Sequence, residues 1–137
     1  MDALKAFPTI RRTFTAEMVG LYGQVNGDRN MIHYDESAAK AAGFARPIAH
    51  GALAVALLTQ ACRDYWGSGW FTTGRLAVRL LRASFVGEAV IVGGEQTSVE
   101  ELDGGKRVTV DVWCTNERGE KILTGQASAI LEERPGV

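Results

Sequence analysis

Along the chain the apolar positions change period once, near Gly67 to Gly74. Before that point they recur every three or four residues, as in an amphipathic helix; after it they alternate, as in a strand. Met18, Val19, Tyr22 and Val25 mark a first helix, with Thr15 as its N-cap and Glu17 in the first turn, where negative charge suits the helix dipole. Asn26-Gly27-Asp28 ends that helix as a loop signal. Asp35 caps a second, short helix that runs through Ala42 and closes at Gly43. Arg46-Pro47 marks irregular backbone, because proline disfavours the helical region for the residue before it. From His50 to about Trp66 comes the longest helix, HGALAVALLTQACRDYW, with almost no polar face before Arg63-Asp64. A helix apolar nearly all round must be buried on most sides.

The second half supplies what buries it. Leu76, Val78 and Leu80 alternate in a first strand, and Val86-Gly87-Glu88 reads as a turn. Ala89 to Leu102 is a second strand region with a candidate kink at Gly93-Gly94, and Asp103-Gly104-Gly105 is a strong hairpin signal. Val108, Val110, Val112 and Cys114 share one face of a third strand; Asn116 to Gly119 turns again, and Lys121 to Leu131 forms a fourth. Four successive strands of this kind predict an antiparallel meander. The fold class is therefore α+β: one domain over residues 1–137, with an antiparallel sheet curled around a central apolar helix.

Composition narrows the function classes. The 137 residues are 46% hydrophobic and 23% charged, a globular balance, and the formal net charge is −1 with no run of Lys or Arg. A nucleic-acid partner is not expected without a basic face. Cys62 and Cys114 stand far apart, without zinc-ribbon or disulfide-scaffold spacing, and read as buried apolar side chains in a reducing compartment. The start, MDALKAFPTIRRTF, lacks a signal-peptide apolar stretch, and Ala52 to Leu58 is too short to span a bilayer. The expectation is a cytoplasmic protein without a membrane partner.

The chemistry concentrates between Tyr22 and Ala56. The chain has two histidines, His33 and His50, and both lie there. Asp28, Asn30 and His33 share one loop, and a carboxylate beside an imidazole is a common device for moving protons near neutral pH. His50-Gly51 stands at the N-terminus of the buried helix, where free amides favour developing negative charge. Each piece also has an ordinary structural reading: Asx residues in turns serve backbone groups, a loop histidine is often plain surface, and a helix-start glycine can serve packing alone. The spacing of Asp28, His33 and His50 matches no metal-ligand motif, so no metal is expected. No Gly-rich loop has nucleotide-binding spacing.

Gly27-Asp28-Arg29-Asn30-Met31-Ile32-His33, followed by Ala38 or Ala39 and then by Arg46-Pro47-Ile48-Ala49-His50-Gly51, resembles the hydratase signature of the MaoC-like family, which includes the R-specific enoyl-CoA hydratases. That pattern is roughly G-D-x-N-P-[LIV]-H with R-P-I-x-H-G at the helix start. RLLRASFVGEAVIVGGE and GEKILTGQASAIL are similar to later strands of the family, so the resemblance covers nearly the whole chain. It implies a hot-dog fold and a homodimer or higher homo-oligomer. It also implies a hydro-lyase converting a trans-2-enoyl thioester to the R-3-hydroxyacyl thioester, with CoA or an acyl carrier as part of the substrate and no separate cofactor. Asp28 and His33 would then be the catalytic pair, and the Gly51 amide would stabilise the enolate. Thr59 aligns with a hydroxyl that supports the carboxylate, while Asn30 and His50 support the site. Two positions depart from the pattern. Met31 stands where proline is usual, and Arg82 is followed by Ala83-Ser84 where a proline is often found. The competing readings are a hot-dog acyl thioesterase and a non-catalytic acyl-binding subunit.

Overall fold

The computed structural model describes residues 4–133. In chain order the elements are β1 (Ile10–Thr13), α1 (Ala16–Asn26), a one-turn 3₁₀ helix (Met31–His33), α2 (Glu36–Ala41), α3 (Gly51–Trp66), α4 (Ser68–Thr73), β2 (Arg75–Leu80), β3 (Ala89–Leu102), β4 (Gly105–Thr115) and β5 (Lys121–Glu132). All pairings in the five-stranded sheet are antiparallel, in the order β1-β3-β4-β5-β2. Among the described residues no helix is long and apolar enough to cross a membrane.

The local signals act as the sequence suggests. Thr15 Oγ1 accepts the Met18 amide at 3.2 Å and Asp35 Oδ2 the Ala38 amide at 2.8 Å, so both helix starts are capped by side chains. The β3–β4 turn is the two residues Asp103-Gly104, with Gly104 at φ 83°, a conformation that favours glycine.

The sheet wraps α3. Ala54, Leu57, Leu58, Ala61, Cys62, Tyr65 and Trp66 of the helix are buried against Val90, Val92, Val108, Val110, Val112, Cys114, Leu123, Ala127 and Ala129. Val92, Cys114 and Leu123 form one row across three strands, so the alternation of the sequence becomes a continuous apolar face. Each valine or leucine so removed from water contributes about 1.5–3 kcal/mol. Burial of α3 is less complete than its composition suggests: Ala52 and Ala56 are exposed and Leu53 and Val55 half-buried.

Four details differ from the sequence reading. The expected meander holds for β3, β4 and β5, but β2 lies beside β5 at the far edge rather than beside β3. The cause is residues 81–88, which carry the chain back across the molecule and bond to the Arg46-Pro47-Ile48 segment. The Ala49 amide donates to Ser84 O at 2.8 Å and the Val86 amide to Pro47 O at 3.0 Å. The register of β3 shifts between Gln96 and Ser98, not at the two glycines. Gly93 and Gly94 instead admit close neighbours, since a Cβ at either would lie 2.6 Å from Trp113 Nε1 or Phe7 Cδ2. Strand β1 and helix α4 were not expected. The latter follows a break at Gly67 and packs on the far end of β5, beyond the reach of β2, where Thr73 Oγ1 accepts the Ile130 amide at 2.8 Å.

Candidate active site

Between α1 and α2 the loop is built by side chains that bond two residues ahead. Asn26 Oδ1 accepts the Asp28 amide at 2.8 Å, Asp28 Oδ1 the Asn30 amide at 2.9 Å, and Asn30 Oδ1 the Ile32 amide at 3.2 Å. Three Asx steps in succession give the segment a defined path without a proline. Met31, where a proline would stiffen the loop, opens the 3₁₀ turn behind Asn30; here the Asx ladder and the Tyr34 hydroxyl, which donates to Asp28 O at 3.0 Å, hold the backbone instead. Asp28 divides its two oxygens: Oδ1 serves the turn and Oδ2 faces the imidazoles.

His33 ends the 3₁₀ turn with its ring buried. Its Nδ1 lies 2.7 Å from Ile48 O. A carbonyl can only accept, so Nδ1 carries the proton and, in the neutral ring, Nε2 is a bare acceptor. Nε2 stands 3.5 Å from Asp28 Oδ2. The Ile48 amide in turn donates to Ile32 O at 3.2 Å, which ties the loop to the strap before α3.

His50 is the N-cap residue of α3, but its side chain makes no capping bond. Its ring stacks on His33 with centroids 3.8 Å apart and 24° between planes, and Tyr22 packs against it at 4.9 Å. His50 Nε2 is 3.6 Å from Asp28 Oδ2 and 3.3 Å from Tyr34 Oη. Burial pushes the His50 imidazole below its ordinary pKa, the neighbouring His33 adds to that, and Asp28 opposes it. The Asp28 carboxyl is held below the usual carboxylate range, chiefly by the Asn30 amide; desolvation, the next largest effect, opposes it, and the two imidazoles add smaller effects in the amide's direction.

Gly51 begins α3, and the first intrahelical bond is from the Leu53 amide to His50 O, so the Gly51 amide precedes the ladder. Gly51 and His33 line one cavity of about 330 Å³, with Phe44, Leu80, Arg82 and Ser84. His33 also borders a cavity of about 380 Å³ with Tyr34, Arg46 and Pro47. Asp28 opens on a groove of about 360 Å³ along Gly20, Gly23, Gly27 and Met31. Asp28 and His33 thus border three cavities between them.

Asp28, His33, His50, Asn30 and Gly51 are therefore brought together. Thr59 is not: its hydroxyl donates to Val55 O at 2.9 Å, within its own helix, and makes no bond to Asp28. Tyr34 and Tyr22 belong to the cluster and were missed, although a tyrosine beside the first histidine was a signal in plain view. Of the arginines that could meet a phosphate of CoA or a carrier arm, Arg46 donates to Val86 O and lies 3.8 Å from buried Glu88, Arg63 is engaged by Asp64, and Arg82 by Glu120. Arg75 and Arg79 share the exposed face of β2.

The donor atoms of Asp28, His33 and His50 all lie within 4.8 Å of one another, the one group of that kind among the described residues. Both Nε2 atoms approach Asp28 Oδ2, at 3.5 and 3.6 Å, so these three side chains are the ones that could hold an ion.

A family model described as the MaoC like domain matches residues 5–118. The chain belongs to the MaoC-like dehydratase family. Its fold is the hot dog, and the similarity extends to solved structures of that family. The (R)-hydratase from A. caviae involved in PHA biosynthesis superposes with a TM-score of 0.78 at 24% identity, over 96% of this chain and 99% of that one. R-hydratase PhaJ1 from Pseudomonas aeruginosa gives 0.76 at 26% identity, over 96% and 84%. In sequence the chain is similar to the mitochondrial 3-hydroxyacyl-[acyl-carrier-protein] dehydratase FERN of Solanum lycopersicum, 23% identical over 120 residues, 88% of this chain and 72% of that protein.

Proposed function

We propose that this MaoC-like chain reversibly adds water to a trans-2-enoyl thioester, giving the R-3-hydroxyacyl thioester, with Asp28 and His33 as its acid–base pair. One observation carries the reading: Asp28 Oδ2 and His33 Nε2, both acceptors when His33 is neutral, face each other across 3.5 Å. Two acceptors so placed repel each other unless a donor is shared by both, and a water lying beside the pair and donating one hydrogen to each is such a donor. Its lone pair is left for C3 of the substrate.

In the forward step the water oxygen bonds to C3, one member of the pair takes the water's proton, and the π electrons move to the thioester oxygen. The Gly51 amide, at the positive end of α3, stabilises that enolate. A proton delivered to C2 completes the addition. In reverse, the proton leaves C2 and the hydroxyl departs as water. No electrons are exchanged with an outside acceptor, so the reading calls for no redox cofactor, and with the Gly51 amide polarising the thioester oxygen it includes no metal.

The same reading expects CoA or an acyl carrier as the thioester's carrier. It expects a homodimer, for which the outer edge of β2 is available, and sedimentation reports that state. Hydration of short enoyl-CoA substrates, followed as loss of the conjugated double bond, tests the activity. Asp28→Asn and His33→Ala should each lose about a hundredfold or more. Full rates in those variants overturn the site assignment. Release of free thiol from a saturated acyl-CoA makes the chain a thioesterase instead, and binding without turnover makes it a non-catalytic acyl-binding subunit.

A further inference from the structure

We infer that Tyr34 is a positioning residue that fixes the tautomer of His50 against Asp28, and that Gly23 is glycine because the Tyr34 hydroxyl occupies the place of its side chain. The catalytic part of this inference rests on the proposed role of Asp28; the tautomer does not.

The steric half comes from α1. A Cβ built on Gly23 collides with Tyr34 Oη and lies 3.1 Å from Asp28 O. Glycine at 23 therefore opens a notch in the helix face, and the phenol reaches through it to the loop backbone.

The electronic half comes from proton counting. The Tyr34 hydroxyl has one hydrogen, and its closer partner is Asp28 O at 3.0 Å, which can only accept. Its lone pairs are then left for His50 Nε2 at 3.3 Å, so that nitrogen carries the proton. The other ring nitrogen gives an independent indication. His50 Nδ1 is buried with no partner, and a buried acceptor left bare costs less than a buried N–H left unpaired. Both observations select the Nε2–H form.

The two stacked histidines thus hold opposite tautomers. His33 keeps its proton on Nδ1, against Ile48 O, and His50 keeps its proton on Nε2. Asp28 Oδ2 therefore has a donor ring on one side, at 3.6 Å, and an acceptor ring on the other, at 3.5 Å. With His50 in the other form the carboxylate would face two bare nitrogens and the reacting water would have two equivalent places. Tyr34 removes that ambiguity and directs the water to His33.

Ring-nitrogen NMR of ¹⁵N-histidine-labelled protein reads this directly, because the chain has only two histidines. The expected spectrum of the wild type at neutral pH shows one ring in each tautomer. Tyr34→Phe should turn the His50 signals toward a mixture and lower kcat roughly tenfold, the rate equivalent of one hydrogen bond, with KM little changed. Gly23→Ala should lower the melting temperature in the wild-type background and less in Tyr34→Phe, where the hydroxyl is gone and only the ring carbon at 2.9 Å remains to give way. The same tautomer on both rings, an unchanged His50 spectrum in Tyr34→Phe, or an equal cost of Gly23→Ala in the two backgrounds overturns the inference. If these hold while the wild type fails to hydrate enoyl thioesters, only the proposed reaction falls. If Asp28→Asn is inactive while Tyr34→Phe keeps full kcat, only the positioning role falls.

Discussion

The imidazoles of His33 and His50 are stacked 3.8 Å apart, and both direct Nε2 at the same oxygen of Asp28. Two cations so close repel strongly, and burial adds to the cost for His50, whose pKa lies below its ordinary value. As pH falls, the unfolded chain therefore takes up a proton on His50 before the folded one does. Stability is full above the ordinary histidine value of about 6.5 and declines below it. Asp28, also depressed, adds a second loss only in the carboxylate range, where its unfolded form is protonated first. Thermal melts should be level between about pH 8 and 7 and fall from about pH 6.5 toward 5. His50→Gln should flatten that upper part of the decline, and a slope unchanged in this variant would assign the loss to other groups.

Gly51→Ala separates folding from catalysis. The new methyl would meet Leu80 Cδ1 at 3.0 Å, but Leu80 is 56% exposed and free to turn aside. The melting temperature should move little, while the methyl enters the cavity shared by Gly51 and His33. We expect hydration to fall by up to roughly a hundred- to a thousandfold, the range for losing one oxyanion donor. Leu80→Ala combined with it removes the contact at 3.0 Å and should still not restore the rate.

Met31→Pro should stabilise the chain. The Met31 side chain is exposed, the position opens a 3₁₀ turn, and Asn30 already has an extended ψ of 118°, as a residue before proline requires. The expected gain is about 0.4–1 kcal/mol, mainly by restricting the unfolded chain, read as a shift in the denaturant midpoint at constant m.

Thr73→Val and Gly69→Ala probe the seat of α4 on β5. The first removes the acceptor of the Ile130 amide and should cost about 1 kcal/mol. The second drives a methyl into the Ile130 carbonyl and should cost about 1–3 kcal/mol. Urea unfolding measures both, and neutrality of both would show that α4 is dispensable to the sheet.

Much of this molecule was legible in the sequence because its signals are local. Alternation from Val108 to Cys114 and the caps at Thr15 and Asp35 need only neighbours along the chain, and both appear in the structure. Strand β1 escaped because Arg11 and Arg12 show no alternation; it is an edge that β3 completes. The place of β2 depends on the crossing at residues 81–88, which no periodicity encodes. In the site, Asp28, His33 and His50 could be read from their clustering. Tyr34 could not be given a role, because that role depends on a notch in another helix, at Gly23. Thr59 shows the converse: alignment placed it near the carboxylate, and its own helix holds its hydroxyl.

The ladder through Asn26, Asp28 and Asn30 advances two residues at each step, and its rungs are side chains rather than strand pairing. Such a loop counts residues. Adding or deleting one anywhere between Asn26 and Ile32 would put a different atom at the rung that turns Oδ2 toward the imidazoles. In this stretch the chain's length is therefore as constrained as its composition. Exposed side chains there, such as Arg29 and Met31, can change while the number of peptide units between Asn26 and His33 cannot.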